Sequence, residues 1–458
     1  MKLQRSIESW LLGIAVAQSI CLHVFPDFHV LHVMLVNFEA VALCFHLWRY
    51  ELAPIYALVL LNASYVGIPS VVSSAWTTQA ILSVVGVLVA AILQPLPSFP
   101  PLSSTHPDVG CQAVRLNGLD CRIFYPATRS SHPFTPYLFY GHQLGIGLSV
   151  FVPQLRPWFF SSLRNGTLHA RADAPLKPHP DGTPGWPVVL YSHGLGNTLE
   201  IGSSTCQYLA SKGNVVVALT HTDGSAAVYR SPDATWHYYQ HPPPSAAKNW
   251  DGEGYGIRNN QLHTRVSNVQ KVLDAVDGMN QDRASVFYQS MDLLRVAAMG
   301  HSFGGATVLA TAKQDARIKA VVALDAWMQP LDKALVRDGL AVPTCSLVSQ
   351  QWIEWKDHHE TMQQFMHKCQ HPHTAFLAIQ RTKHNNFIEL PLFSPLLNRV
   401  AGMAGPADPT YVLHMTGQLA AGYLCRVLQG DMAFQSMFQQ FPELLVLNAK
   451  TKTTANDE

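Results

Sequence analysis

A turn that joins a strand to a helix constrains this chain more than any other feature. Gly300-His301-Ser302-Phe303-Gly304-Gly305 follows the mostly apolar run 293–299 and precedes the helix-forming run 306–310. In such a turn the serine takes a strained backbone conformation at the top of a parallel sheet. Gly300 and Gly304 are needed because a side chain there would clash with the strand or the helix. This context on both sides favours a nucleophile elbow over a purely structural turn.

Short β-rich runs alternate with helical stretches in the rest of the chain. They are 188–192, 215–220, 296–299, 320–324, 344–349 and 375–380. This alternation is typical of a mostly parallel sheet covered by helices. Together with the elbow, it predicts the α/β-hydrolase fold, whose catalytic side chains lie at the carboxyl edge of the sheet.

A serine nucleophile needs a base and a carboxylate that orients the base. In this fold an Asp or Glu and then a His follow the serine along the chain. Asp325 follows the strand 319–324 and His384 follows the strand 375–380, so both are expected at the same sheet edge as Ser302. The alternative is that Asp325 has only a structural role and caps the next helix. Most of the competing histidines lie on a predicted helix or in a turn containing proline rather than directly after a strand: they are His358, His359, His367, His371, His373 and His414.

The oxyanion hole requires two backbone N–H groups beside the nucleophile. Phe303, directly after Ser302, is expected to supply one, and Leu195 in the loop 191–197 is expected to supply the other. His193 lies in the same loop and precedes the nucleophile in sequence. We therefore assign His193 a structural role in that loop rather than the role of catalytic base.

Residues 1–94 form the most apolar part of the chain. Only seven of the 61 charged residues lie in the first 95 positions. The apolar runs span about residues 10–25, 30–48, 52–72 and 76–93, and each is close to the ~20 residues that cross a bilayer. We therefore expect an all-α region of four transmembrane helices. A cleaved signal peptide would explain only the first run, and a buried helical core is the alternative.

The few charges in this region suggest an orientation in the membrane. Lys2, Arg5 and Arg49 lie on one side if the N-terminus is cytosolic, and four spans then return the catalytic domain to the cytosol. A disulfide between Cys111 and Cys121, or a glycan on Asn165, would instead indicate a lumenal domain.

The remaining boundaries follow from composition. Residues 95–110 are rich in Pro and Ser and are expected to form a linker, 111–449 the catalytic domain, and 450–458 a polar, disordered tail. The net charge of +1 and the lack of a basic stripe argue against a nucleic-acid partner. The His-rich segment 358–373 lacks zinc-site spacing, so no metal or other cofactor is expected.

These motifs resemble the plasma and type II intracellular platelet-activating-factor acetylhydrolases, which are calcium-independent phospholipases of the A2 class. The matching segments are 192–196, 300–307, 323–328 with 330–331, and His384 with Asn386-Phe387, and the segment 258–261 is also similar. The resemblance covers roughly residues 105–425. It implies a triad of Ser302, Asp325 and His384 with Leu195 and Phe303 as oxyanion donors. The membrane spans depart from the secreted members of that family.

The resemblance also implies a reaction. A serine esterase of this kind hydrolyses the short or oxidised sn-2 acyl ester of phospholipids like platelet-activating factor through an acyl-enzyme. A general membrane-anchored carboxylesterase or lipase of the dienelactone-hydrolase type is the alternative enzyme, because it shares the elbow and differs mainly in its pocket. A hydrolase-fold membrane protein that binds lipid without catalysis is the alternative outside enzymes.

Overall fold

The computed structural model of the protein describes residues 2–24, 29–44, 53–67, 81, 83–86, 99–154, 156–157, 160, 163, 166–180, 182–393 and 395–447. In the part from residue 99 onward, a large twisted sheet is flanked by helices. The strands in chain order are β1 Val109–Leu116, β2 Leu119–Pro126, β3 Phe134–Pro136, β4 Thr167–Ala172, β5 Trp186–Ser192, β6 Val215–Leu219, β7 Val228–Arg230, β8 Trp236–Tyr238, β9 Met291–His301, β10 Ile318–Leu324, β11 Thr344–Ser349, β12 Ala375–Ile379 and β13 Leu444–Val446.

The main sheet contains eleven of these described strands, in the order β13-β12-β11-β10-β9-β5-β6-β2-β1-β4-β3, and β7 pairs with β8 separately. The central strands β5, β6, β9, β10, β11 and β12 are parallel to one another. β2 is antiparallel to β6 and β13 is antiparallel to β12. Each of the six runs predicted to be a strand falls on one of the six parallel strands.

The described helices in chain order are α1 Lys2–Val24, α2 His29–Cys44, α3 Ala53–Gly67, α4 Gly141–Phe151, α5 Ser203–Ala210, α6 Pro244–Lys248, α7 Tyr255–Gln281, α8 Phe303–Gln314, α9 Lys333–Asp338, α10 Gln350–Glu354, α11 Lys356–Lys368, α12 Leu390–Phe393, α13 Pro395–Val400 and α14 Pro409–Gln429. Short 3₁₀ turns span His384–Phe387 and Ser436–Gln440, and a π turn spans Trp250–Gly254.

The central strands are mostly apolar because both of their faces are covered over most of their length. Every residue of β5 and β6 is buried. The core on one face includes residues of α5 and α14, and the core on the other face includes residues of α7, α8 and α11. Parallel strands covered on both sides lack the apolar/polar alternation of half-exposed strands. The carboxyl ends of these strands meet at one edge of the sheet, where the candidate catalytic residues lie.

The three N-terminal helices pack on one another around a small apolar cluster that includes Leu11, Ala15, Ile55 and Leu58. Among the described residues, no helix combines the length and the apolar character needed to cross a bilayer. α1 has 23 residues but carries Lys2, Arg5 and Glu8 in its first turns. The prediction of four transmembrane helices over residues 1–94 is therefore not supported. Most of the fourth run lies outside the described residues.

The segment predicted as a linker contacts the catalytic domain from residue 99 onward. Phe99 is buried, and the Ser103 backbone N–H donates to Ser211 Oγ at 2.9 Å. β1 then begins at Val109. The tail 450–458 lies outside the described residues.

Cys111 and Cys121 are buried on β1 and β2, and neither forms a disulfide. They do not face each other, because Cys111 pairs with Phe124 and Cys121 with Val114. Asn165 lies outside the described residues. The side of a membrane that holds the catalytic domain stays a prediction.

Candidate active site

The turn from β9 into α8 has the geometry of a nucleophile elbow. Ser302 has φ 59° and ψ −119°, a conformation that costs a non-glycine residue about 1–3 kcal/mol. Hydrogen bonds on both sides hold it: its N–H donates to Leu324 O at 2.9 Å, and its carbonyl accepts from the Trp327 N–H at 3.0 Å. A Cβ on Gly304 would overlap the backbone carbonyl of Ser192 in β5. The neighbouring strands therefore require glycine at that position.

The two other predicted triad members come together at the same sheet edge. Asp325 follows β10, and His384 opens the turn after β12. His384 Nδ1 lies 3.1 Å from Asp325 Oδ2. Because the carboxylate accepts the Nδ1 proton, the free nitrogen of His384 is Nε2, the atom that must take a proton from a serine.

Asp325 is completely buried, and Ser349 supplies two further hydrogen bonds to it. The Ser349 N–H donates to Oδ1 at 2.6 Å and its hydroxyl donates to Oδ2 at 2.7 Å. Burial raises the pKa of Asp325, and the two bonds from Ser349 act in the opposite direction. Ser349 ends β11, the strand next to β10. We did not identify it from the sequence, where it is one more serine at the end of an apolar run.

Aromatic rings surround the His384 imidazole. The Trp352 indole stacks on it with ring centroids 4.0 Å apart and an interplanar angle of 4°, and the His301 ring lies 4.4 Å away. His301 Nε2–H also donates to the His384 carbonyl at 3.1 Å. Burial lowers the pKa of His384. The imidazole is therefore neutral near pH 7 and can accept a proton.

Ser302 is 8% exposed, and its hydroxyl makes no hydrogen bond within the described part of the chain. Serine and histidine are thus both at the sheet edge, but the bond between them is not formed. Catalytic hydrogen bonds are often long in ligand-free proteins and shorten when substrate binds. The catalytic roles of Ser302, Asp325 and His384 stay predictions that this geometry permits.

The loop after β5 lies directly beside the candidate nucleophile. A Cβ on Gly194 would be 3.1 Å from the Ser302 Cβ. Neither the Leu195 N–H nor the Phe303 N–H donates to an acceptor among the residues that the structure describes. Both groups are therefore available to a substrate oxyanion, as the two predicted donors require.

A buried arginine holds this loop in place through hydrogen bonds and an ion pair. Arg265 on α7 donates to the His193 carbonyl at 2.7 Å and to Ser225 Oγ at 2.6 Å, and pairs with Asp223 at 2.9 Å. Its guanidinium also lies 4.4 Å from the centre of the Phe303 ring. One cation thus contacts the segments that carry both candidate oxyanion donors. The sequence signal for Arg265 was weak: the family resemblance at 258–261 lies in the first turns of the same helix.

His193 lies within the loop 191–197, and its hydrogen bonds fit a structural role better than the role of base. Its Nδ1–H donates to Gly194 O at 2.8 Å, and its Nε2 accepts from the His221 N–H at 3.4 Å. Both ring nitrogens therefore bind the backbone.

Of the competing histidines, His358 is buried and accepts from the Met328 N–H at 3.0 Å, and the His414 ring contacts Tyr208.

The His-rich segment does not converge on one point. The His371 and His373 rings contact each other at 5.4 Å, whereas the His358 ring packs on Trp355. Within the described residues, no three His, Cys, Asp or Glu side chains are grouped so as to hold a metal ion.

A family model for platelet-activating factor acetylhydrolase, isoform II, matches residues 97–444. The chain belongs to this family. Over 407 residues it is 25% identical to a platelet-activating factor acetylhydrolase of Canis lupus familiaris, which covers 81% of this chain and 85% of the relative. A probable 1-alkyl-2-acetylglycerophosphocholine esterase of Arthroderma benhamiae is 26% identical over 45% of this chain and 49% of its own length.

A further relative has a phospholipase name, and a solved structure shares the fold. A putative phospholipase A2 of Schizosaccharomyces pombe is 24% identical over 55% of this chain and 66% of its own length. The solved structure of a ferulic acid esterase from Streptomyces cinnamoneus superposes with a TM-score of 0.57 at 19% identity, covering 76% of this chain and 98% of the esterase. This last likeness concerns the fold alone. The family membership makes the chain a serine ester hydrolase.

Proposed function

We propose that this acetylhydrolase-family member hydrolyses the short or oxidised sn-2 acyl ester of phospholipids like platelet-activating factor. The observation that carries the proposal is the His384–Asp325 hydrogen bond at the same sheet edge as the strained Ser302, beside two unused backbone N–H groups. The names of its relatives support a glycerophosphocholine ester as substrate.

The residues suggest a two-step reaction. The Ser302 hydroxyl attacks the sn-2 carbonyl carbon while His384 Nε2 takes its proton, and the Leu195 and Phe303 N–H groups stabilise the oxyanion. Collapse of this intermediate releases the lysophospholipid alkoxide, which receives the proton from His384. Water then attacks the acyl-enzyme and loses a proton to His384. Collapse of the second tetrahedral intermediate breaks the bond to Ser302 Oγ, which takes that proton back from His384, and the short carboxylic acid leaves. Asp325 stabilises the imidazolium that forms in each step.

Two measurements test this proposal. A fluorophosphonate probe should label the wild-type protein and not Ser302→Ala, and only the wild type should release acetate from 1-alkyl-2-acetyl-glycerophosphocholine. Labelling of Ser302→Ala would show that the nucleophile is a different residue. Absence of labelling in the folded wild type would favour a non-catalytic lipid-binding protein.

A panel of esters distinguishes the proposed substrate from a general carboxylesterase. The enzyme should cleave sn-2 acetyl phospholipids with a higher kcat/KM than p-nitrophenyl acetate, because remote parts of the lipid contribute binding energy in the transition state. Equal or lower kcat/KM on the phospholipid would favour the carboxylesterase of dienelactone-hydrolase type.

A further inference from the structure

The indole of Trp352 stacks on one face of the His384 imidazole but has no part in the proton transfers proposed above. The two ring planes differ by 4°, and the ring centroids are 4.0 Å apart. Trp352 is 9% exposed, so the stack is shielded from water. A parallel contact this close bears on the charge that the imidazole can carry as well as on its orientation.

Two hydrogen bonds fix the indole relative to Asp325. The Trp352 Nε1–H donates to the carbonyl of Ala326, the residue after Asp325, at 3.2 Å. The Trp352 backbone N–H donates to Ser349 Oγ at 3.3 Å, and the Ser349 hydroxyl donates to Asp325 Oδ2. The ring that contacts the face of His384 and the carboxylate that accepts its Nδ1 proton are therefore held by the same network.

The residue before Trp352 contacts the segment of the catalytic base too. Gln351 Oε1 accepts the His384 backbone N–H at 3.0 Å. The short run 349–352 thus binds the Asp325 carboxylate, the His384 backbone and one face of the His384 ring. A rotation of the imidazole would break both the stack and the bond to Asp325. This run therefore restricts His384 to the orientation in which Nδ1 faces the carboxylate.

The charges around the imidazole decide what the indole contributes. Asp325 lies at the Nδ1 edge of the ring, and among the described residues the other titratable side chains that face it are His301 on β9 and His358 on α11. Burial lowers the pKa of His301 to about 3 and that of His358 to about 4, so both are neutral near pH 7. An imidazolium at this position is then stabilised by the carboxylate at its edge and by the negative face of the indole.

We infer that Trp352 is a positioning residue of the reaction, which holds the His384 imidazole towards Asp325 and stabilises the imidazolium through its π face. The inference rests on the proposed function, because it requires His384 to be the general base. A cation–π contact that is shielded from water corresponds to a change of roughly 10- to 30-fold in a rate or an equilibrium constant.

The profile of kcat/KM against pH for p-nitrophenyl acetate tests the inference. Trp352→Leu removes the π face and should lower the plateau of kcat/KM roughly 10- to 30-fold. The acid limb of the profile should also move to lower pH, by about one unit, because the protonated form of the His384–Asp325 pair is less stable in the free enzyme. Trp352→Phe keeps an aromatic face of weaker attraction and should give smaller changes in the same directions.

A purely structural role predicts the opposite shift. If Trp352 only shields the imidazole, its loss admits water, relieves the burial that lowers the pKa of His384, and moves the acid limb to higher pH. A lower rate with the acid limb unshifted or moved to higher pH would therefore overturn the inference. A Trp352→Leu enzyme within twofold of wild type would overturn it as well. Should Trp352→Leu fail to fold, as thermal melting would show, the sign of the shift in Trp352→Phe decides.

Trp355→Leu is the matched control. Trp355 is 39% exposed, meets the Trp352 ring edge-on at 5.6 Å and stacks on His358 rather than on His384. Its loss should leave the rate within twofold of wild type and the acid limb unshifted. If p-nitrophenyl acetate is cleaved and no phospholipid is, the proposed substrate fails, whereas the role of Trp352 is still decided by these profiles.

Discussion

Replacing Ser349 with alanine should slow catalysis although Ser349 touches no reacting atom. Its hydroxyl donates to Asp325 Oδ2 at 2.7 Å, and its backbone N–H, which alanine keeps, donates to Oδ1. A hydrogen bond to a buried charge is worth about 1.5–3 kcal/mol. If the Asp325 carboxylate stabilises the imidazolium in the transition state, the loss of that bond should lower kcat/KM by roughly ten- to 150-fold.

The pH dependence gives a second and more specific readout. Burial raises the pKa of Asp325, and the hydrogen bonds from Ser349 lower it, so their loss raises this pKa further. The carboxylate must be ionised to stabilise the imidazolium. Activity on the acid side should therefore begin to fall at a higher pH in Ser349→Ala than in the wild type. The measurement is the profile of kcat/KM against pH with p-nitrophenyl acetate, which depends little on lipid delivery.

Two further variants separate this effect from a structural one. Ser349 Oγ also accepts from the Trp352 N–H at 3.3 Å as the N-cap of α10, so Ser349→Ala should lose about 1 kcal/mol of stability. Ser349→Thr keeps both hydroxyl bonds and should restore the rate and the pH profile. Ser346→Ala removes another buried hydroxyl of β11, one that contacts Met362 Sδ at 3.6 Å, and should leave both unchanged. A Ser349→Ala enzyme within twofold of wild type at every pH would refute the reasoning.

Three other outcomes are expected. His384→Ala and Asp325→Asn should each lower kcat for p-nitrophenyl acetate by roughly 10³-fold or more, because members of a triad act as a unit; wild-type activity in either variant would remove that residue from the triad. Arg265→Met leaves Asp223 buried without its partner and should lower the free energy of unfolding in urea by about 3–5 kcal/mol, whereas a loss below 1 kcal/mol would mean that the pair contributes little. Prolonged EDTA treatment should leave hydrolysis unchanged, and loss of activity that Zn²⁺ or Ca²⁺ restores would contradict a metal-independent site.

The parallel part of the sheet was predictable because each central strand is buried on both faces. Such strands read as short apolar runs, and all six were located from the sequence. The strands β1 to β4 were not identified, and for β2, which is buried along its whole length, the structure offers no reason. In β1 buried and exposed residues alternate over part of the strand, and β3 has only three residues. Short or half-exposed strands at a sheet edge give a weak signal in a single sequence.

The candidate triad could be located because each member follows a strand in a known chain order. The residues that support it could not, since their partners are brought close only by the fold. Ser349 lies 24 positions from Asp325 and reaches it because β11 is next to β10. Arg265 reads as a polar residue on a long helix, which normally faces solvent, yet it is fully buried.

The N-terminal region shows a different limit. Apolar composition identifies segments that avoid water, but it does not distinguish helices that cross a bilayer from helices that bury their apolar faces against one another. In the described part, α1, α2 and α3 contact one another around a small apolar cluster. Composition alone therefore could not decide between these two arrangements.

The C-terminal strand β13 has a role that its three residues do not suggest. Leu444, Leu445 and Val446 pair with Ile379, Ala378 and Leu377, so they cover the outer backbone of β12, the strand that leads to His384. Without them β12 would be an edge strand, with its N–H and C=O groups open to pairing with another molecule. Removal of residues 444–446 would therefore favour aggregation and, in the same event, loosen the support of the candidate catalytic base.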